Sequence, residues 1–279
     1  MSNIKVIEKF GRTPGKNIVI IAGVHGNEPC GIKAFDKIIP KLEIDAGKVV
    51  FIYANLEAIK QNKRFIEINL NRCFFKKQPF GIKQTFEGRT AREIIPYLDK
   101  ADSMLDIHAS ASKKSLPFVI CDKSQISNAQ IFNSEIVVYN FDEFEPGSTE
   151  HYVNSQKKQG FGFECGCIEN SETIEVAEEA ILNFLAFNGC IRKKLKNNIH
   201  QKILKITFLY KNKFGSFKKS REFADFEILN EKTLIGIDGS REVYVNKEDI
   251  VLFVRDRERI NEECFLIAKE EKELIKRLV

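Results

Sequence analysis

The chain has 279 residues, 43% of them hydrophobic, and 44 basic against 39 acidic side chains give a formal charge of +5. That is enough apolar material for one large core or two smaller ones. Both signs of charge are mixed along the chain, which excludes a basic domain tracking phosphates, and no apolar run approaches the roughly 20 residues that span a bilayer. The expectation is therefore a globular protein with no nucleic-acid partner and no membrane association.

In chain order, Ile4 to Phe10 predicts a weak first strand, and the apolar, β-branched run Ile18 to Ala22 a buried second one. Glu28 to Ile39 predicts a helix ended by Pro40, followed by a strand over Val49 to Ala54. Gly88 to Leu98 reads as a helix, and Ser103 to Ile107, Leu116 to Cys121, Glu135 to Tyr139 and Gly160 to Cys165 read as strands. Ser171 to Asn188 carries a helical apolar stripe, with Gly189 as its C-terminal cap. Alternating strands and helices predict an α/β sheet covered on both faces.

Arg192-Lys193-Lys194-Leu195-Lys196 follows. It reads as a basic binding patch or, with more weight, as charge solvating a linker beside a helix C-terminus. After it the texture changes to short β-rich runs at Ile203–Tyr210, Phe226–Leu229, Thr233–Ile237, Arg241–Val245, Ile250–Arg255 and Cys264–Ala268, with a final helix or tail over Glu270–Val279. Two domains are expected, 1–192 as a catalytic α/β domain and 193–279 as a smaller β-rich domain. The N-terminus Met-Ser-Asn-Ile-Lys has no apolar signal segment, and seven cysteines form no paired framework. Both point to a reducing, cytoplasmic setting. Cys165-Gly-Cys167 finds no further Cys/His cluster to complete a metal site.

The chemistry begins at the end of the second strand, in His25-Gly-Asn-Glu28. An imidazole and a carboxylate three residues apart, at the start of a helix, reach one cation. A lone pair of this kind is also a common surface motif. His108, closing Leu105-Asp106-Ile107-His108, supplies a third ligand at another strand's carboxyl end, which makes the two-His, one-Glu pattern of a catalytic zinc site. Asp106 is a candidate to support His108 from behind, on the condition that the strand has ended by then, since otherwise its side chain is expected on the opposite face. Arg64-Phe-Ile-Glu-Ile-Asn-Leu-Asn71-Arg72 packs two arginines and an asparagine beside that site, and arginine is the side chain best fitted to a carboxylate. Glu164, a carboxylate inside the apolar run Gly160-Phe-Gly-Phe-Glu-Cys-Gly166, is costly to bury and suits a proton acceptor for water.

The order H-G-N-E, R-F-I-E-I-N-L-N-R, D-I-H and F-E-C-G resembles the succinylglutamate desuccinylase and aspartoacylase family, relatives of the zinc carboxypeptidases, over most of residues 17 to 190. The resemblance implies a zinc-carboxypeptidase-like mixed sheet flanked by helices, with a C-terminal β domain bordering the active site. It implies one Zn²⁺ held by His25, Glu28 and His108, Arg64 polarising a scissile carbonyl, Asn71 and Arg72 gripping a substrate carboxylate, and Glu164 as general base. The activity implied is hydrolysis of the amide of a small, carboxylate-bearing N-acyl amino acid. The alternatives are a peptide-trimming metallocarboxypeptidase and a non-catalytic zinc-binding regulator. Assembly into a homo-oligomer is left open. Two positions depart from the family pattern: Asn69 stands where Asp is common, removing a charge that would orient the arginines, and Asn154 stands ten residues before the base, where aspartoacylases carry an aspartate-binding arginine. Lys157 and Lys158 lie close to it in sequence. On this ground N-acetylaspartate is expected to be a poor substrate.

Overall fold

A computed structural model describes residues 2–195 and 200–272. The strands are β1 (Lys5–Phe10), β2 (Thr13–Ala22), β3 (Ala46–Tyr53), β4 (Ser103–Ser110), β5 (Phe118–Cys121), β6 (Ile136–Tyr139), β7 (Gln159–Cys167), β8 (Lys202–Lys211), β9 (Phe217–Lys219), β10 (Glu227–Ile228), β11 (Thr233–Asp238), β12 (Arg241–Val245), β13 (Ile250–Leu252) and β14 (Glu263–Glu270). The helices are α1 (Cys30–Ile38), α2 (Leu56–Lys60), α3 (Phe80–Lys83), α4 (Phe86–Lys100), α5 (Thr149–Asn154) and α6 (Thr173–Phe187).

Eleven strands form one mixed sheet in the order β1-β3-β2-β4-β7-β5-β6-β8-β14-β13-β10, and β12-β11-β9 form a second, antiparallel sheet. The centre, β3-β2-β4-β7, is parallel, and β5 runs antiparallel to β7. These central strands are apolar on both faces because both are covered. On one face Ile18, Ile20, Leu105 and Phe161 pack with Phe35 of α1 and Phe184 of α6; on the other, Val19, Ile21 and Met104 pack with Ile94 and Leu98 of α4 and Tyr152 of α5. The mixed, helix-flanked sheet with a smaller antiparallel partner is the expected fold class. The large sheet runs on past residue 193, because β8 pairs in parallel with β6 and carries β14, β13 and β10 with it.

Several element boundaries differ from the sequence pattern. Helix α1 starts at Cys30 with Pro29 as its N-cap, so Glu28 lies in a turn, its N–H donating to the His25 carbonyl at 3.2 Å. Pro40 falls in a short 3-10 turn, Ile39–Lys41, that prolongs α1 instead of stopping it at once. The run Ile250–Arg255 is strand only to Leu252, because Phe253 adopts φ +55°. Phe226, at φ +66°, likewise leaves its run as the two-residue β10. Within the basic cluster, Lys193 donates to Asn183 and the Arg192 N–H to Asp45, while Lys196 lies outside the described residues. Glu270 ends β14; residues 273–279 of the expected tail lie outside the described residues. Among the described residues, no helix is long and apolar enough to cross a membrane.

Candidate active site

Strands β2, β4 and β7 are adjacent and parallel, so their carboxyl ends open on one edge, the place where such sheets hold ligands. His25 and Glu28 leave β2 on the turn that begins at Gly23, which has φ +75°. Gly26 lies so close to α2 that a Cβ there would stand 2.1 Å from the Ala58 carbonyl carbon. His108 is near the end of β4, and Glu164 sits directly opposite it in the β4–β7 ladder.

His25, Glu28 and His108 are buried, and their ligand atoms lie within 4.8 Å of one another. Glu28 Oε1 is 2.8 Å from His25 Nδ1, and Oε2 is 2.9 Å from His108 Nδ1. The remaining ring nitrogens are committed elsewhere: His25 Nε2 is 2.9 Å from Asn69 Oδ1 and His108 Nε2 is 3.0 Å from Asp106 Oδ2. The Asn69 amide oxygen accepts, so His25 Nε2 carries the proton and its Nδ1 turns a lone pair inward; His108 donates from Nδ1 to Glu28, and although burial opposes it, Asp106 and Glu28 raise its pKa well above the usual imidazole value, so this ring gives up its Nδ1 proton when it ligates. His25 Nδ1 is buried without a hydrogen bond among the described residues and faces a carboxylate oxygen. Two acceptors held this close repel unless positive charge stands between them, and two imidazoles with one carboxylate are a donor set that suits Zn²⁺. The residues therefore fit the metal that the sequence pattern implies.

Charge in the site is distributed accordingly. Burial, with Arg64 nearby, pushes the His25 pKa down to about 4, leaving it neutral and ready to ligate. Burial would raise Glu28, but His25 and His108 outweigh it and hold its carboxyl well below the usual range. Burial chiefly, with Glu28 adding repulsion, pushes the Glu164 carboxyl up to about 8, and its Oε2 is buried with no hydrogen-bond partner among the described residues. Arg64 donates from Nη1 to Glu28 Oε1 at 2.9 Å.

All seven residues singled out in the sequence line one cavity of about 260 Å³: His25, Glu28, His108, Arg64, Asn71, Arg72 and Glu164. Arg72 is engaged on every side. Nη2 is 2.7 Å from Glu145 Oε2 and 3.2 Å from Glu263 Oε2, Nε donates to Glu263 Oε1 at 3.3 Å, and Nη1 donates to the Asn71 carbonyl at 2.8 Å. Asn71 Oδ1 accepts the Thr149 N–H at 3.1 Å. Burial works against charge on Arg72, but Glu145 and Glu263 more than restore it. Burial chiefly raises Glu145 to about 7, while Arg72 outweighs burial at Glu263 and lowers it to about 2, so this carboxylate pair keeps a proton on the more buried Glu145 side.

Three expectations need correction. Asp106 needs no end of strand to reach His108: residues two apart on a strand share a face, and Thr149 Oγ1 donates to the same Asp106 oxygen at 2.6 Å. Asn69 orients no arginine; its Oδ1 meets His25 and also accepts the Asn71 N–H at 3.0 Å. Asn154 lies outside the cavity, clamping Gly160 through N–H and C=O at 2.8 and 3.1 Å, and Lys158 donates to the Asp99 carbonyl at 2.6 Å.

Sequence reasoning missed Glu87. Fully buried, it accepts the Ile66, Glu67 and Ile68 N–H groups at 2.7, 3.1 and 3.1 Å and Asn55 Nδ2 at 3.2 Å, so the loop carrying Arg64 to Arg72 is wound around one carboxylate. Acid in a helix's first turn reads as a solvated dipole partner, and nothing local distinguishes it. Arg255 and Arg257, from the segment after β13, also line the cavity and carried no motif.

The sequence profile of the succinylglutamate desuccinylase/aspartoacylase catalytic domain matches residues 14–188. The chain belongs to the succinylglutamate desuccinylase/aspartoacylase family. A probable aspartoacylase of Nostoc sp. is 23% identical over 292 residues, covering 92% of this chain and 97% of that protein. A succinylglutamate desuccinylase of Vibrio campbellii is 32% identical over 132 residues, 44% of this chain and 39% of that one. Among solved structures, succinylglutamate desuccinylase from Vibrio cholerae has a TM-score of 0.77 at 20% identity, covering 95% of this chain and 85% of that chain. The product-bound ectoine utilization protein EutE (DoeB) from Ruegeria pomeroyi has a TM-score of 0.70 at 17% identity, covering 95% and 88%. The desuccinylase/aspartoacylase fold thus accounts for nearly the whole chain, including the strands beyond residue 200.

Proposed function

We propose that this family member is a zinc-dependent hydrolase that cleaves the amide of a small N-acyl amino acid bearing a carboxylate. The observation that supports this most is Glu164, a carboxylate with a raised pKa and a buried oxygen that has no partner among the described residues, opposite His108 and beside a His-Glu-His group whose ligand atoms converge. A purely metal-binding protein has no use for such a group. A cavity of about 260 Å³, bordered by β14 and the segment after β13, favours a small substrate over a peptide chain.

His25 Nδ1, Glu28 and His108 Nδ1 would hold the metal, with Asn69 and Asp106 fixing both ring orientations. When bound, Zn²⁺ supplies Lewis-acid polarisation of the amide carbonyl and lowers the pKa of a water in the site to about 7. Glu164 takes the proton of the attacking water and later returns it to the leaving amine nitrogen. Arg64, anchored to Glu28 by one N–H, has others with no partner among the described residues to donate to the carbonyl oxygen as negative charge develops there. Asn71 Nδ2 and Arg72 would take the substrate carboxylate, Arg72 exchanging its Glu263 contact for it.

The test separates chemistry from binding. Glu164→Gln should retain zinc and fold yet lose on the order of a hundredfold or more in kcat, measured as amine release from a panel of N-acyl amino acids. Wild-type turnover in that variant removes Glu164 from the reaction, and a wild-type enzyme idle on the whole panel removes the function.

A further inference from the structure

One carboxyl in the cavity wall has no part in the reaction above. Glu150, in the first turn of α5, lines the cavity and is only 5% exposed. Among the described residues no lysine or arginine pairs with it. Thr149 Oγ1 is 3.2 Å from its Oε2, but that hydroxyl has one hydrogen and directs it at Asp106, 2.6 Å away; the Ser148 hydroxyl supplies the other contact. Burial chiefly raises the Glu150 pKa, and the charges that act on it most strongly, those of Asp142 and Asp106, are negative and raise it further. A carboxylate taken out of water needs a positive partner, and none of the described residues supplies one in contact with it.

The way to that carboxyl is open because residue 162 has no side chain. Gly162 lies two residues before Glu164 on β7, so the two share a face of the strand, and both line the cavity. A Cβ at Gly162 would stand 3.4 Å from Ile120 and 3.9 Å from the Glu150 carboxyl carbon, ordinary contact distances, so a larger residue would fit there and would fill the space in front of Glu150. At Gly160 the reason for glycine is different: a Cβ would be 2.8 Å from the Glu150 carbonyl oxygen, so its absence is what lets α5 lie directly on β7. The walls of the recess are apolar. Ile120, Phe141 and Leu266 belong to one buried cluster with Leu209 packed against it, and all four line the cavity. Apolar walls with a carboxyl among them suit an aliphatic chain that ends in a cation, whose methylenes and charge need different surroundings. Asn154, spent on Gly160, brings no cation that would instead suit an acidic side chain.

We propose that Glu150 is a specificity-determining residue that pairs with a cation at the end of the substrate's side chain, so that the preferred substrates are diamino acids acylated on the α-amine and carrying the second amine as an ammonium. This deepens the amide-hydrolase reading above and rests on it. The α-carboxylate is held by Asn71 and Arg72 as before, and the ammonium enters the recess in front of Gly162. An acid at this place repels a second carboxylate, in keeping with the expectation that N-acetylaspartate is a poor substrate.

The zinc-loaded wild type, Glu150→Gln and Glu150→Asp are to be compared by kcat/KM on Nα-acetylornithine, N-acetylnorvaline and N-acetylaspartate. The first two share the α-carboxylate and the same run of side-chain carbons and differ in the terminal ammonium. The wild type should prefer Nα-acetylornithine to N-acetylnorvaline on the order of tenfold to a hundredfold; Glu150→Gln should lose most of that preference, mainly through KM, and Glu150→Asp should keep part of it. Use of the two within about twofold by the wild type, a preference unchanged in Glu150→Gln, or N-acetylaspartate as the best of the three overturns the proposal. If the wild type hydrolyses none of them, the hydrolase reading fails separately, and calorimetric binding of Nα-acetylornithine to the Glu164→Gln protein, with and without Glu150→Gln, still decides Glu150. Binding weakened about tenfold or more by Glu150→Gln supports the role; equal binding, or none to the protein that retains Glu150, overturns it.

Discussion

Replacing Glu87 by alanine tests how the site is assembled. The side chain is fully buried and accepts four hydrogen bonds, three of them from consecutive backbone N–H groups of the loop that carries Arg64, Asn69, Asn71 and Arg72. Each N–H deprived of its partner costs about 1–3 kcal/mol where water cannot replace it. The loop is only partly buried, so water recovers some of this, and a total of about 4 kcal/mol is expected for Glu87→Ala. For a chain of this size that is a fall of roughly 10 °C in Tm. Glu87→Gln should cost about half as much, since the amide keeps one acceptor oxygen but turns an NH₂ group toward two donors. Activity should fall further than stability implies, because the loop sets the position of both arginines, and a shift of about 1 Å costs on the order of a hundredfold. Zinc content should be affected less, since the loop carries none of the three ligands itself and touches only His25, through Asn69, and Glu28, through Arg64. Chemical denaturation, calorimetry and steady-state kinetics on the two variants suffice. A Glu87→Ala protein within about 1 kcal/mol of wild type and fully active would refute the idea that this carboxylate organises the loop.

The other predictions concern the metal group and the carboxylate pair. His108→Ala should abolish stoichiometric zinc, and Asn69→Ala, which frees the His25 ring to turn, should weaken zinc by about tenfold to a hundredfold in a chelator competition; undiminished affinity would remove the orienting role of Asn69. Asn69→Asp keeps the acceptor and should retain affinity. Glu145, raised to about 7 chiefly by burial, binds a proton in the fold that the unfolded chain releases near 4.5, so its contribution to stability is full below about pH 4.5 and is lost as pH rises through about 7. Glu145→Gln should therefore flatten the decline in Tm between about pH 5 and pH 8, and an unchanged slope would show that the proton is held elsewhere.

Much of this protein is written locally. Apolar, β-branched runs such as Ile18 to Ala22 form strands because only a sheet interior accepts them, and the stripe along Thr173–Phe187 forms a helix because one face must be buried. The residues with chemistry stood out for the same kind of reason: His25, Glu28 and His108, buried, and Glu164, half-buried, are polar groups at or near the ends of apolar strands, where their removal from water needs a purpose. What joins them was not legible. That Glu87 holds the loop, that Asn69 sets the His25 imidazole, that Glu145 and Glu263 close on Arg72, and that a strained Phe253 presents Arg255 all depend on partners 19 to 191 residues apart or on one backbone angle. Hydrophobic periodicity is decided within a few residues of chain and survives any topology. Hydrogen bonds and ion pairs are decided by which side chains meet within about 3 Å, and only the packed sheet, with β14 and the segment after β13 brought against the ends of β2, β4 and β7, determines that.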